Sequence, residues 1–273
     1  MKLSFEVFPP KISDGIEHIY GCLDALSAHS PEFISVTYSA GNAGKGLTAE
    51  VCEKIKNTYL IKSVSHLTCA GTTKEGLQKE LWILKNCGVD TILALRGDLT
   101  EMKKLSEFMH ATDIMEEINR FGGFELFGAC YPEGHMESEN FEEDINVLKM
   151  KYDMGVKKFL SQLFFDNGDF MRMCDEADKK GIKAEFCAGI MPVLSAKSAI
   201  RMVELSGASF TKEMKTLIDK YEKDNASMKK AGIEYAIKQI RDLCERGYDA
   251  IHLYTMDNAE VTDEICRGIK DLR

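Results

Sequence analysis

Strand-like runs of aliphatic, β-branched and aromatic residues alternate with helical periodicities along almost the whole chain, and that alternation leaves few folds open. The strand-like runs fall at 3–10, 33–37, 62–68, 91–95, 124–129, 158–162 and 184–190. The first six are followed by helical patterns at 14–28, 48–58, 73–87, 106–120, 141–154 and 169–180. After the seventh, three helical patterns (196–206, 210–221 and 225–246) precede the eighth strand, 250–254, and a last amphipathic helix spans 259–272. Ser13 or Asp14 is placed to cap the first helix, and Thr48 the second.

Strictly alternating strands and helices imply parallel pairing through right-handed crossovers, and eight such units over about 250 residues make a (β/α)8 barrel. The chain has 273 residues, so the reading is one TIM-barrel domain over 1–273 with extra helices before the eighth strand. A doubly wound open sheet fits less well, because no G-x-G-x-x-G follows the first strand. The loop 39–46 holds three glycines, but Gly44-Lys45-Gly46 lacks the Ser or Thr that a phosphate loop places after its lysine, so it reads as a connection.

A formal charge of −9 and a pI near 5.3 argue against a nucleic-acid surface, which needs clustered cations. No run of 18 apolar residues offers a membrane span, and the first residues enter a strand directly, so a cytoplasmic protein acting on small molecules is expected. The nine cysteines show no C-x-x-C pair and read as reduced core residues.

Glu6 is the one carboxylate in the first apolar strand, which the Pro9-Pro10 pair ends. Burial without a cation raises a carboxyl pKa, so Glu6 is a candidate general acid; the competing reading is a structural Glu held by backbone or a lysine. In a barrel, chemistry sits at the C-terminal ends of the strands. Those ends carry Thr37-Tyr38, His66, Arg96-Gly97-Asp98, Tyr131 to His135, Gln162 and Tyr254-Thr255. Arg96-Gly97-Asp98 is the sharpest: a cation, a glycine that admits a ligand to the backbone, and an anion, though the two charges could equally pair with each other. His66 and His135 could be core residues, and no ligand spacing supports a metal.

The motifs Ser4-Phe5-Glu6-Val7-Phe8-Pro9-Pro10, Ser35-Val36-Thr37-Tyr38, His66-Leu67-Thr68-Cys69, Ala94-Leu95-Arg96-Gly97-Asp98, Tyr131-Pro132-Glu133-Gly134-His135, Ser161-Gln162-Leu163-Phe164-Phe165-Asp166 and Tyr254-Thr255-Met256 occur together, in order, across the chain. With them the chain resembles the flavin-dependent methylenetetrahydrofolate reductases of bacteria. The resemblance implies a barrel carrying non-covalent FAD that reduces 5,10-methylenetetrahydrofolate to 5-methyltetrahydrofolate. It implies that Glu6 protonates the folate N10, that Asp98 steadies the 5-iminium cation beside the flavin, and that Gln162 and Tyr254 contact the folate. Thr37, Tyr38, His66, Arg96, Gly97, Asp98, Tyr131, His135, Asp144 and Lys151 match positions that hold FAD. Asp144 and Lys151 stand seven apart on one helix, hence on one face.

The resemblance further implies NADH or NADPH as electron donor, a partner subunit in some short relatives, and assembly as a homo-oligomer or a hetero-complex. The family commonly has Asn-Arg-Ala after the last strand, where this chain has Asp257-Asn258-Ala259. Two other functions compete with the reductase: a pterin-binding methyltransferase barrel without redox chemistry, and a flavin- and folate-binding subunit active only with an electron-donor protein.

Overall fold

The structure is a computed structural model that describes residues 1–9, 16–38, 47–97 and 106–273. Its elements are β1 (Lys2–Val7), α1 (Glu17–Ser27), β2 (Phe33–Val36), α2 (Leu47–Tyr59), β3 (Lys62–Thr68), α3 (Lys74–Asn86), β4 (Thr91–Leu95) and α4 (Ala111–Phe121). They continue as β5 (Glu125–Cys130), α5 (Phe141–Asp153), β6 (Lys158–Ser161), α6 (Asn167–Lys179), β7 (Glu185–Ile190), α7 (Ala196–Ser206), α8 (Lys212–Tyr221), α9 (Asn225–Glu245), β8 (Ala250–Tyr254) and α10 (Ala259–Gly268). The eight strands form a closed parallel barrel in sequence order, and α7 to α9 are the expected extra helices before β8. Parallel strands covered on both faces need continuous apolar runs, and β2 (FISV) and β6 (KFLS) are buried at every residue.

Two sequence expectations shift. Thr48 does not cap α2: it lies inside the helix, and its hydroxyl donates to the Thr37 carbonyl (3.0 Å). The helix expected from 106 starts at Ala111, because Asp113 Oδ2 accepts the Met109 and His110 amides (2.8 Å each) and fixes the first turn there. The proposed caps Ser13 and Asp14, and the glycine loop 39–46, lie outside the described residues.

Contacts divide the chain into two compact units. One, here the N-terminal unit, comprises Ser4–Ala129 and Met150–Phe159; the C-terminal unit comprises Met1–Leu3, Cys130–Lys149 and Leu160–Arg273. The N-terminal unit is built around aromatic residues. Phe33 and Phe127 meet edge to face (5.4 Å between centroids), and the Lys158 ammonium lies over both rings at 5.1 and 5.7 Å while bonding Glu32 Oε1 at 2.6 Å. That pairing is what lets a lysine at the start of a buried strand stay charged. Lys62 and Glu125, which open β3 and β5, pair likewise.

In the C-terminal unit Lys2 and Glu185, opening β1 and β7, form the corresponding pair. The extra helices enclose a cluster of Leu163, Phe165, Met191, Val193, Met214 and Met228 among others. Two polar side chains fasten α9 to the segment after β6: Tyr235 Oη donates to Phe165 O (2.8 Å) and Gln239 Nε2 to Phe164 O (3.0 Å). Gly232, midway along α9, lies so close to the segment after β7 that a Cβ there would stand 1.8 Å from the Val193 carbonyl oxygen.

Gly232→Ala therefore forces backbone apart and should cost about 3 kcal/mol or more. Gly21→Ala in α1, where a Cβ would meet nothing within 4 Å, should instead gain about 1 kcal/mol from helix propensity. Urea melts of the two variants test both signs.

Candidate active site

β1 carries Glu6 inward at the level of Ser35 on β2, and only 7% of the residue is exposed. Its Oε2 stands 3.5 Å from His66 Nε2, which β3 supplies and which is itself 6% exposed. The strand end is stitched to its neighbour: Thr37 N donates to Val7 O (3.0 Å), and Tyr38 follows, half-buried. Burial, and then Glu80, holds the Tyr38 phenol above its ordinary pKa, so it stays a hydroxyl donor.

Arg96 and Gly97 leave β4 in a fixed backbone. The Arg96 carbonyl accepts the Ala70 amide (2.9 Å) and the Cys69 thiol (3.1 Å). Gly97 has φ of +82°, and a Cβ there would come within 3.0 Å of Thr68 Cβ and 3.2 Å of Ala70 Cβ. Conformation and space both demand glycine here. Asp98 lies outside the described residues. Lys151, on α5, is 7% exposed and donates from Nζ to Ala129 O at 2.8 Å.

The C-terminal unit holds a second group of candidates. After β5 the chain turns at Gly134 (φ +93°), and the Tyr131 and His135 rings meet edge to face at 4.7 Å. The buried Asp144 carboxylate organises this loop: Oδ2 accepts the His135 amide (2.5 Å) and Oδ1 the Ser138 hydroxyl (2.7 Å). His135 Nδ1 accepts from the Glu137 amide (3.2 Å), so the neutral ring carries its proton on Nε2. The resemblance places Asp144 among the residues that hold FAD; here its carboxylate accepts two hydrogen bonds from the loop that presents His135.

Gln162 follows β6, its amide donating to Cys130 O (2.8 Å) and its side-chain Oε1 accepting from Leu163 N (2.8 Å). With Oε1 so engaged, the amide NH2 is what Gln162 can offer a ligand. Gln162, Tyr131, Glu133, Gly134 and the segment 206–208 line a small crevice with room for about one water molecule. Tyr254, at the end of β8, donates from Oη to Ser161 O (2.7 Å). Thr255 proves structural: its Oγ1 accepts the Asp257 amide (3.2 Å) in a turn where Met256 and Asp257 have φ near +50°. Asn258 caps α10 through Val261 N (3.1 Å), which an arginine could not do. Among the described residues no group of three or more His, Cys, Asp or Glu is placed to hold a metal.

The sequence reading passed over Gly189, on which the Tyr254 contact depends. A glycine inside a buried strand was the available signal.

Comparison with known proteins is consistent along the whole chain. The family description "Methylenetetrahydrofolate reductase" matches residues 1–270. The 5,10-methylenetetrahydrofolate reductase of Pectobacterium carotovorum subsp. carotovorum is 31% identical over 269 residues, covering 98% of this chain and 90% of that one. The protein of the same name from Escherichia coli (strain K12) is 31% identical over 272 residues. Methylenetetrahydrofolate reductase (NADH) 1 of Arabidopsis thaliana is 28% identical over 93% of this chain but only 46% of its own length. Among solved structures, a Clostridium thermocellum protein described as binding two copies of 5-methyl-5,6,7,8-tetrahydrofolic acid superposes with a TM-score of 0.66 over 99% of this chain and 95% of that one. At 14% identity that is a likeness of fold. Fold and relatives together define the class, a (β/α)8-barrel oxidoreductase. Within it, the chain belongs to the methylenetetrahydrofolate reductase family.

Asp144→Ala should lose two charge-assisted hydrogen bonds and about 3 kcal/mol of stability, whereas Asp144→Asn, which keeps one acceptor oxygen, should lose roughly half of that. Urea unfolding of the pair decides; equal, negligible losses would remove the loop-holding role.

Proposed function

We propose that this protein reduces 5,10-methylenetetrahydrofolate to 5-methyltetrahydrofolate with FAD, Glu6 serving as general acid. The observation that carries the reading is the buried Glu6 carboxylate at the end of β1 with an imidazole nitrogen 3.5 Å away, in a chain of this family. The residues present fit FAD. The cations Arg96 and Lys151 suit its diphosphate, the hydroxyls of Thr37 and Tyr38 and the imidazoles of His66 and His135 suit its polar edges, and the backbone at Gly97 is assigned beside them. Tyr131 and Asp144 hold and orient His135 within that set. Bound FAD supplies the hydride.

The protein's own residues handle the folate. Ring opening requires a proton at N10, and Glu6 delivers it from a site where little water competes. The resulting iminium is a cation, and Asp98 is assigned to steady it as an ionised carboxylate. Two carboxylates would then divide acid and electrostatic roles. Gln162 holds the pterin through its amide NH2, the group its own backbone leaves available.

Glu6→Gln keeps size and hydrogen bonding but removes the transferable proton. Flavin content and bleaching by the electron donor should be retained, while turnover of methylenetetrahydrofolate slows by about 10²–10⁴. Stopped-flow absorbance separates the halves: equal slowing of both means a displaced flavin, and unimpaired folate reduction returns Glu6 to a structural role.

NADH or NADPH is assigned as electron donor. The purified, yellow protein should oxidise one of them without any added protein; inactivity with both, rescued by an electron-carrying partner, would make it a subunit instead. A colourless protein that transfers methyl groups would overturn the redox reading altogether.

A further inference from the structure

The assignment of Gln162 to the folate leaves open what holds Gln162 itself. Five hydrogen bonds hold the Ser161–Gln162 peptide within the C-terminal unit. Gln162 N donates to Cys130 O (2.8 Å), and Gln162 Oε1 accepts from Leu163 N (2.8 Å). The Ser161 hydroxyl, 1% exposed as a residue, accepts from Gly189 N (2.8 Å) and donates to Gln162 O (2.9 Å). The Ser161 carbonyl accepts from Tyr254 Oη at 2.7 Å.

The last contact is unusual in its reach. Tyr254 ends β8, Ser161 ends β6, and the tyrosine crosses β7 to make the bond. It can cross only because β7 carries Gly189 there: a Cβ at 189 would stand 2.9 Å from both Cε2 and Oη of Tyr254 and 2.3 Å from Ser161 O. The fully buried His252 packs its ring edge to face against the tyrosine at 5.7 Å.

A phenol committed to a carbonyl two strands away has spent its proton there. We infer that Tyr254 is a positioning residue, acting on the folate through Gln162, with Ser161 and Gly189 as the other parts of the clamp. This revises the expectation that Tyr254 contacts the folate directly, and it rests on the reading that Gln162 binds folate. A side-chain amide carried on a peptide pinned from both sides points its NH2 in one direction, which cuts the ordering cost of the bond it makes to the ligand.

The test is a double-mutant cycle in the flavin-loaded protein, using Tyr254→Phe, Gln162→Ala and the pair, with 5-methyltetrahydrofolate binding measured by calorimetry and melting temperature beside it. Tyr254→Phe should weaken binding about three- to tenfold, the range expected for one lost hydrogen bond. It should raise KM for methylenetetrahydrofolate more than it lowers kcat. In the Gln162→Ala background the same change should have no further effect on binding. Multiplying losses would mean that Tyr254 touches the folate itself, and an unchanged affinity in Tyr254→Phe would dismiss the clamp; either overturns the inference. If Gln162→Ala alone binds like the parent, the fault lies in the reading of Gln162, and the inference falls with it. A melting-temperature drop shared by Tyr254→Phe in both backgrounds, without any binding difference, would leave the tyrosine a purely structural role.

Discussion

A parallel strand inside a closed barrel has two covered faces, so a polar side chain on it must be paired or must sit at a strand end. The charges at the strand starts show the first solution. Lys62 meets Glu125, Lys2 meets Glu185, and Lys158 meets Glu32 while lying against two aromatic rings. Each is neutralised by an opposite charge, and pairs of this kind hold register without inviting a ligand. Glu6 breaks the pattern. It sits one residue from the end of β1, and the ring nitrogen of His66 stands 3.5 Å from its carboxylate.

The barrel was legible because periodicity survives the tertiary context when every strand is buried. β4 and β8 begin and end where their apolar runs do. What the sequence hid is local chemistry competing with periodicity. The pattern ran into α4 too early because Asp113 holds the Met109 and His110 amides and delays the helix. Thr48 resembled a cap, yet spends its hydroxyl on a neighbouring strand end.

Site residues divide in the same way. Glu6 was visible as the one carboxylate in an apolar strand, and His66 as a histidine at a strand end. Their proximity was not, since it depends on β1 and β3 standing two places apart in the barrel. Asp144 was visible only by resemblance, and spacing alone could not say that its carboxylate would fold back onto the loop carrying His135. The thiols were read correctly as core groups: all nine are free and six are buried. Burial pushes Cys69 up to about 11 and Cys174 and Cys266 up to about 12, so they are protonated bystanders at neutral pH.

Two glycines mark how differently the same residue can serve a site. Gly97 is required by its positive φ and because Thr68 and Ala70 fill the space a Cβ would take. Gly189 has no need of glycine's conformational freedom; it is required because a tyrosine ring occupies the space of its missing side chain. The first glycine lets the chain leave β4 against Thr68 and Ala70, and the second makes room for a side chain that holds the proposed ligand-binding residue still. An alanine at either position would leave every polar group of the proposed site in the sequence. It would strain the exit from β4 in one case and remove the rigidity in the other, which is why a list of site residues understates what the barrel must preserve.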